Sequence, residues 1–183
     1  ESHVSYYERW AENWEFQALL KARPLAGDAE LGDAYVAKMQ PFVWASAGRD
    51  SFVESAQKMR ERVMEHIPAN EVDRQIKLGP GGLRDIEFTV QLLQLVHGRT
   101  DETVRVRDTL SAIDALAAAG YVSRADATVF ARQYRFLRVL EHRIQLSQLR
   151  RTHLMPNTDG ALRSLARSID LKWSAEQLTK HWE

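Results

Sequence analysis

The side chains best suited to chemistry gather in Lys77–Gln94, which reads KLGPGGLRDIEFTVQLLQ. Gly79, Gly81 and Gly82 surround Pro80 at the head of an apolar segment. Backbone N–H groups at such a helix start bind anions, and glycine permits close approach, so phosphate is the ligand this turn would cradle. No Lys-Ser/Thr pair follows the glycines as in a Walker A loop, and no βαβ unit precedes them as in a dinucleotide fold. On the residues alone, a tight turn into a buried helix is the plainer account. Asp85 and Glu87 could act as metal ligands or a general base, but residues two apart on a helix diverge. Asp85 therefore suits a helix-start position bonded to loop N–H groups, and Glu87 suits a pair with Arg84.

Further along, Arg135, Arg138, His142 and Gln145 repeat at three-four-three spacing, with Arg143, Arg150 and Arg151 nearby. Guanidinium forks recognise phosphates and carboxylates, so this face suits an acidic partner; an ordinary solvated helix face is the alternative. His142 has no serine or cysteine nucleophile beside it in a recognisable motif. The six histidines show no metal-ligand spacing.

The elements that must position these groups read as helices. A first helix is predicted over 2–22, with Tyr7, Ala11, Trp14 and Ala18 on one apolar stripe, Trp10 and Phe16 beside it, and Pro24 ending it. The tryptophans and tyrosines there read as packing. Asp28 caps a second helix to about Phe42, with Leu31, Tyr35 and Met39 inward and Pro41 as its stop or kink. Ser51 and Glu54 read as the capping box of a third, which ends before Pro68. Residues 69–82 connect, with Gln75 to Leu78 extended. A central helix spans about Leu83 to His97, apolar on two faces and polar along Arg84, Glu87, Gln91 and Gln94, with Gly98 as its C′ residue. Gly120 closes a helix that opens at Thr109, and Ser123 with Asp126 caps the longest helix, to about Arg150. Residues 159–169 form a shorter helix, and Ser174 with Gln177 caps the last. The expected fold is all-α: one elongated bundle of seven or eight helices, with 1–48 as linker helices and 49–183 as the main bundle.

The 183 residues carry 25 basic and 25 acidic side chains, a formal charge of zero that argues against a nucleic-acid binder. The absence of cysteine excludes disulfides and thiolate metal sites and fits a reducing cytosol. No stretch is apolar and long enough to span a bilayer. A helical pattern begins almost at residue 1, which is not methionine, and another is still running at Trp182, so an excised piece of a longer polypeptide is expected.

The ordered residues Lys77, Gly79, Gly81, Gly82, Asp85, Ile86, Glu87, Phe88, Val90 and Gln91 resemble the glycine-rich signature of bacterial glutamine synthetase adenylyltransferases, also called adenylyl-removing enzymes. The stretch from Trp14 to Asp28 resembles the segment that follows the nucleotidyltransferase domain of that family. A third stretch is similar too: Phe136-Leu137-Arg138, Leu140-Glu141-His142-Arg143, Arg151-Thr152-His153 and Pro156, in the form of the N-terminal, adenylyl-removing half. The resemblance implies a helical domain C-terminal to a nucleotidyltransferase domain, within a larger multidomain cytoplasmic enzyme. That enzyme transfers AMP from ATP to a tyrosine of glutamine synthetase and removes it by phosphorolysis, releasing ADP. It uses Mg²⁺ held by paired carboxylates and answers to a PII-type nitrogen-signal protein and glutamine. The family's metal-binding aspartates lie in the nucleotidyltransferase sheet, and no Asp-x-Asp occurs here. No catalytic residue or metal ligand is therefore expected in this chain, and Mg²⁺, ATP, ADP and phosphate belong to the full enzyme. Lys77, Gly79, Gly81, Gly82, Arg84, Asp85 and Glu87 are the expected active-site wall or phosphate contact. Arg135, Arg138, His142 and Arg143 are the expected partner-binding face. The implied partners are glutamine synthetase, the signal protein and the adjoining catalytic domain, with no nucleic acid or membrane. A non-catalytic module that binds glutamine synthetase or the signal protein is the alternative.

Overall fold

The structure, a computed structural model, describes residues 2–182. Among them the chain forms nine α-helices and no strand: α1 Ser2–Arg9, α2 Asn13–Leu19, α3 Ala29–Ala45, α4 Phe52–Glu65, α5 Leu83–His97, α6 Thr109–Ala118, α7 Arg124–Gln148, α8 Asp159–Ile169 and α9 Ala175–Trp182. By contacts the chain divides into two compact units. One comprises the chain up to Arg62 together with Glu87–Thr128, and the other comprises Val63–Ile86 with the chain from Val129 onward.

Capping residues open α3, α6, α7 and α9. Asp28 accepts from the Leu31 N–H at 3.0 Å to open α3, and Asp108 accepts from the Ser111 N–H at 2.8 Å to open α6. The Ser123 hydroxyl donates to Asp126 and accepts from its N–H, and Ser174 and Gln177 exchange bonds reciprocally. Each arrangement satisfies amide groups that the helix start leaves without partners.

The count exceeds eight because the expected first helix breaks at Trp10–Glu12. The Glu12 N–H donates to Glu15 Oε1 at 3.0 Å, and the Tyr6 hydroxyl donates to the same oxygen at 2.9 Å. Glu15 thus restarts the chain as α2. The break spoils the single apolar stripe: Tyr7, Ala11 and Phe16 are buried, but Trp10 and Trp14 are 74% and 54% exposed. Leu31 is also exposed, while Met39 and Val43 carry the inner face of α3. Pro41 neither stops nor ends α3, which runs on to Ala45. Its position is exposed, so the carbonyl deprived of an N–H partner at Ala37 can turn to water. Ser51 has φ +53, not the extended backbone of a capping residue. Gly98 is not left-handed; a Cβ there would stand 2.7 Å from the Trp44 ring, and that contact requires glycine.

The first unit is built around two apolar clusters. Leu20, Val43, Trp44, Phe52 and Leu95 form one; Tyr7, Ala11, Phe16 and Met39 form the other; Leu19 packs against both. Each fully buried large side chain contributes roughly 1.5–3 kcal/mol of transfer free energy. The α5 seam is used inside this unit. Gln91 accepts from the Gln17 amide at 2.8 Å, and Gln94 donates to the carbonyls of Val104 and Val106 at 2.8 and 2.7 Å.

In the second unit Ile76, Leu83, Leu140, Ile144, Ala166 and Leu178 are fully buried. A short antiparallel pairing of Gln75 with Leu154 ties the connector before α5 to the segment after α7. The Ile76 N–H donates to His153 O at 3.1 Å and the Met155 N–H to Arg74 O at 2.8 Å.

Candidate functional site

The glycine turn shapes the path of the chain before α5. Leu83 N–H donates to Ile76 O at 3.0 Å and Arg84 N–H to Lys77 O at 2.9 Å, so the helix start lies directly on the 76–77 carbonyls. Only glycine fits at 82, where a Cβ would sit 2.8 Å from Ile76 O and 3.0 Å from Lys77 O. Gly79 is equally confined, with Gln75 O at 2.6 Å from its would-be Cβ. Gly81 serves differently: its φ is +70 and open space surrounds it.

The same geometry decides what the turn can bind. Gly81 N–H donates to Asp85 Oδ2 at 2.7 Å, as expected of a helix-start carboxylate. Gly79 N–H donates to Gln75 O and Gly82 N–H to Gly79 O. With Leu83 and Arg84 also committed, and Pro80 lacking an N–H, the turn turns its donors inward. Its own Asp85 takes the place that a phosphate oxygen would need. Arg84 and Glu87 are half-buried.

Because the turn folds Lys77 back, its ammonium reaches Glu141 on α7. Lys77 Nζ lies 3.0 Å from Glu141 Oε1, Arg138 contacts Glu141 Oε2 at 2.7 Å, and His153 Nδ1 lies 3.0 Å from Oε1. Glu141 is 2% exposed. Burial is the largest influence on its carboxyl and favours the protonated form. The Lys77 hydrogen bond and charge, with Arg138 and His153, outweigh that, and the pKa falls below its ordinary value. Burial also lowers the His153 pKa, assisted by Lys77 and Arg151 against the pull of Glu141. A buried carboxylate paired with Lys77 and Arg138, with His153 beside it, joins the connector, α7 and the segment after α7.

Glu141 and His153 were not among the expected site residues. The signal was present: Glu141 shares the helical stripe of Leu137, Leu140 and Ile144, and a carboxylate at a core position demands partners. Arg138 separates from the expected partner face, because its guanidinium is tied to Glu141. Arg135, His142 and Arg143 are exposed.

Among the described residues no three His, Asp or Glu side chains converge as a metal site, and the turn's amides are spent. No helix among them is long and apolar enough to cross a membrane.

Two family profiles match the chain: one described as GlnD PII-uridylyltransferase over residues 54–183, and one described as glutamate-ammonia ligase adenylyltransferase over 1–40. Relatives called bifunctional glutamine synthetase adenylyltransferase/adenylyl-removing enzyme are similar along the chain. One from Leifsonia xyli subsp. xyli is 61% identical over 182 residues, covering 100% of this chain and 18% of that protein. One from Streptomyces coelicolor is 63% identical over 93% of this chain and 17% of its own length. One from Mycolicibacterium smegmatis is 57% identical over 94% of this chain and 17% of its length. The chain spans under a fifth of the curated relatives it matches.

Proposed function

The chain belongs to the family of bifunctional glutamine synthetase adenylyltransferases/adenylyl-removing enzymes, and from that premise we propose that it is the helical support of a nucleotidyltransferase active site in such an enzyme. The parent enzyme transfers AMP from ATP to a tyrosine of glutamine synthetase and removes it with phosphate, releasing ADP. This segment belongs to its adenylyl-removing half, and the Mg²⁺ and nucleotide are held by the adjoining catalytic domain in the cytoplasm.

The observation that carries this reading is the meeting of two separate motifs on one carboxylate. Lys77 comes from the glycine-rich signature, and Arg138 and Glu141 come from the pattern on α7, yet all three join within 3.0 Å contacts. Lys77 and Glu141 are positioning residues. They fix the turn and α7 as one wall, against which a catalytic domain can hold its substrates at constant distance. Chemistry at that wall gains from rigidity and not from a group donated by the turn.

The test uses the full-length enzyme. Glu141→Gln keeps the shape and removes the charge. It should lower the unfolding temperature and reduce kcat for adenylyl removal, with the KM for phosphate little changed; Lys77→Met should do the same more mildly. A normal melting curve with a raised phosphate KM would instead make Lys77 a substrate contact and overturn the positioning role. A second reading is favoured by the exposure of Arg135, His142 and Arg143: a docking face for glutamine synthetase or a PII-type signal protein. Arg135→Glu with Arg143→Glu would then weaken partner binding while leaving basal turnover intact.

A further inference from the structure

We infer that the groove between the end of α7 and α8 docks an acidic amphipathic helix of a protein partner. The groove lies wholly within the second unit and encloses about 590 Å³. Its apolar lining comes from Leu146, Pro156, Ala161 and Leu165, and its single charged lining residue is Arg143. Leu146 is 63% exposed, so the groove leaves a large aliphatic side chain in water. Two hydroxyls on the lining are spent internally: Ser147 Oγ donates to Ile144 O at 2.9 Å and Ser168 Oγ to Leu165 O at 2.6 Å. They place no demand for partners on an occupant.

Charge decides which occupant fits. From Arg132 to Arg151 the chain carries six arginines and one acidic residue, the buried Glu141, on which Arg138 is spent, and α8, the other wall, adds Asp159, Arg163 and Arg167, so the excess is positive. Arg143 is exposed, and no carboxylate lines the groove. A helix that inserts apolar side chains and offers a carboxylate to Arg143 meets both features. The α8 wall suits a helical backbone: Ala161, Ser164 and Ser168 are small, repeat at three and four, and allow close approach over about two turns. A nucleic acid fits less well, because the lining has no aromatic platform and only one cation. The inference shares Arg143 with the docking reading above, but it concerns binding alone and does not depend on the enzymatic assignment.

The experiment is an NMR titration of the ¹⁵N-labelled chain with a synthetic helical peptide. The peptide has leucines at i, i+3, i+4 and i+7 and glutamates elsewhere. A scrambled peptide, a lysine-for-glutamate peptide and a single-stranded DNA of similar length serve as controls. Saturable shifts at Leu146, Ala161 and Ser164 are expected with the acidic helix alone. Arg143→Glu and Leu146→Ser should each weaken binding at least tenfold while thermal melting stays unchanged. No saturable shift overturns the inference. So does an equal response to the scrambled peptide or to DNA, which would mean attraction to any polyanion. A dimer of the free chain that the same two substitutions abolish would assign the groove to a second copy, and would overturn it as well.

Discussion

Burial works against a charged Glu141, yet Lys77, Arg138 and His153 together hold its carboxyl below the ordinary 4.5 and keep it ionised. That balance fixes the sign of the pH dependence. A depressed carboxylate pKa adds stability above the unfolded value, and the gain is lost as pH falls through the folded one. His153 acts in the same direction: its folded pKa lies below 6.5, so the unfolded chain takes the proton first. The melting temperature should therefore fall steadily from pH 7.5 to pH 4. His153→Asn should flatten the part of that fall below pH 6.5 that precedes carboxylate titration. Calorimetry at half-unit steps measures both, and a protein more stable at pH 5 than at 7.5 would refute the assignment. At pH 7.5, Glu141→Gln should cost about 3 kcal/mol, the lower end for breaking a buried ion pair, because Lys77 and Arg138 retain some access to water.

Among the elements, the connector before α5 makes the sharpest demand, because its glycines are confined for different reasons. Gly82 is hemmed by backbone carbonyls, which cannot swing aside as a flexible side chain would. Gly82→Ala should therefore cost about 1–3 kcal/mol as an overpacked contact. Gly81 has φ +70 with open space, so Gly81→Asn should cost well under that, since asparagine tolerates the left-handed region. Urea unfolding ranks the two, and the reverse order would mean that dihedral strain and not contact governs the turn. Caps were the elements most legible in the sequence. Asp28, Ser123 and Ser174 announce helix starts because their partners lie three residues away, whereas Ser51 shows the same pattern on a left-handed backbone, and the Asp108 cap of α6 went unread. The break before α2 was hidden because Glu15 bonds backward to Glu12 and Tyr6, an arrangement no apolar period encodes. The ionic cluster was hidden by distance: Lys77 and Glu141 are 64 residues apart, and only the misplaced charge on the α7 stripe hinted at a partner. The phosphate-cradle expectation met a turn whose amides are already bonded, which residue types alone do not reveal.

For the whole molecule the decisive matter is how its carboxylates are spent. Moving AMP between a tyrosine and phosphate is an in-line displacement at phosphorus, and its developing charge needs metal ions or cations that converge on one place. Here several acidic side chains are committed one at a time. Glu141 is matched by Lys77 and Arg138, Asp85 holds the Gly81 N–H, Asp101 binds Thr103 and Tyr121, and Asp28 and Asp108 cap helices. No three of them meet among the described residues. The helices, by contrast, need only one another: each unit has its own buried residues, from Tyr7 and Phe16 in the first to Leu140 and Ile144 in the second. The chain on its own should therefore be a folded, helical protein that performs neither half of the reaction. Incubated with adenylylated glutamine synthetase, phosphate and Mg²⁺, it should release no ADP above a no-protein control, while circular dichroism shows it helical and cooperatively melting. ADP release that scales with the chain's concentration, and that disappears with Glu141→Gln, would move the chemistry into this segment and end the reading of it as support.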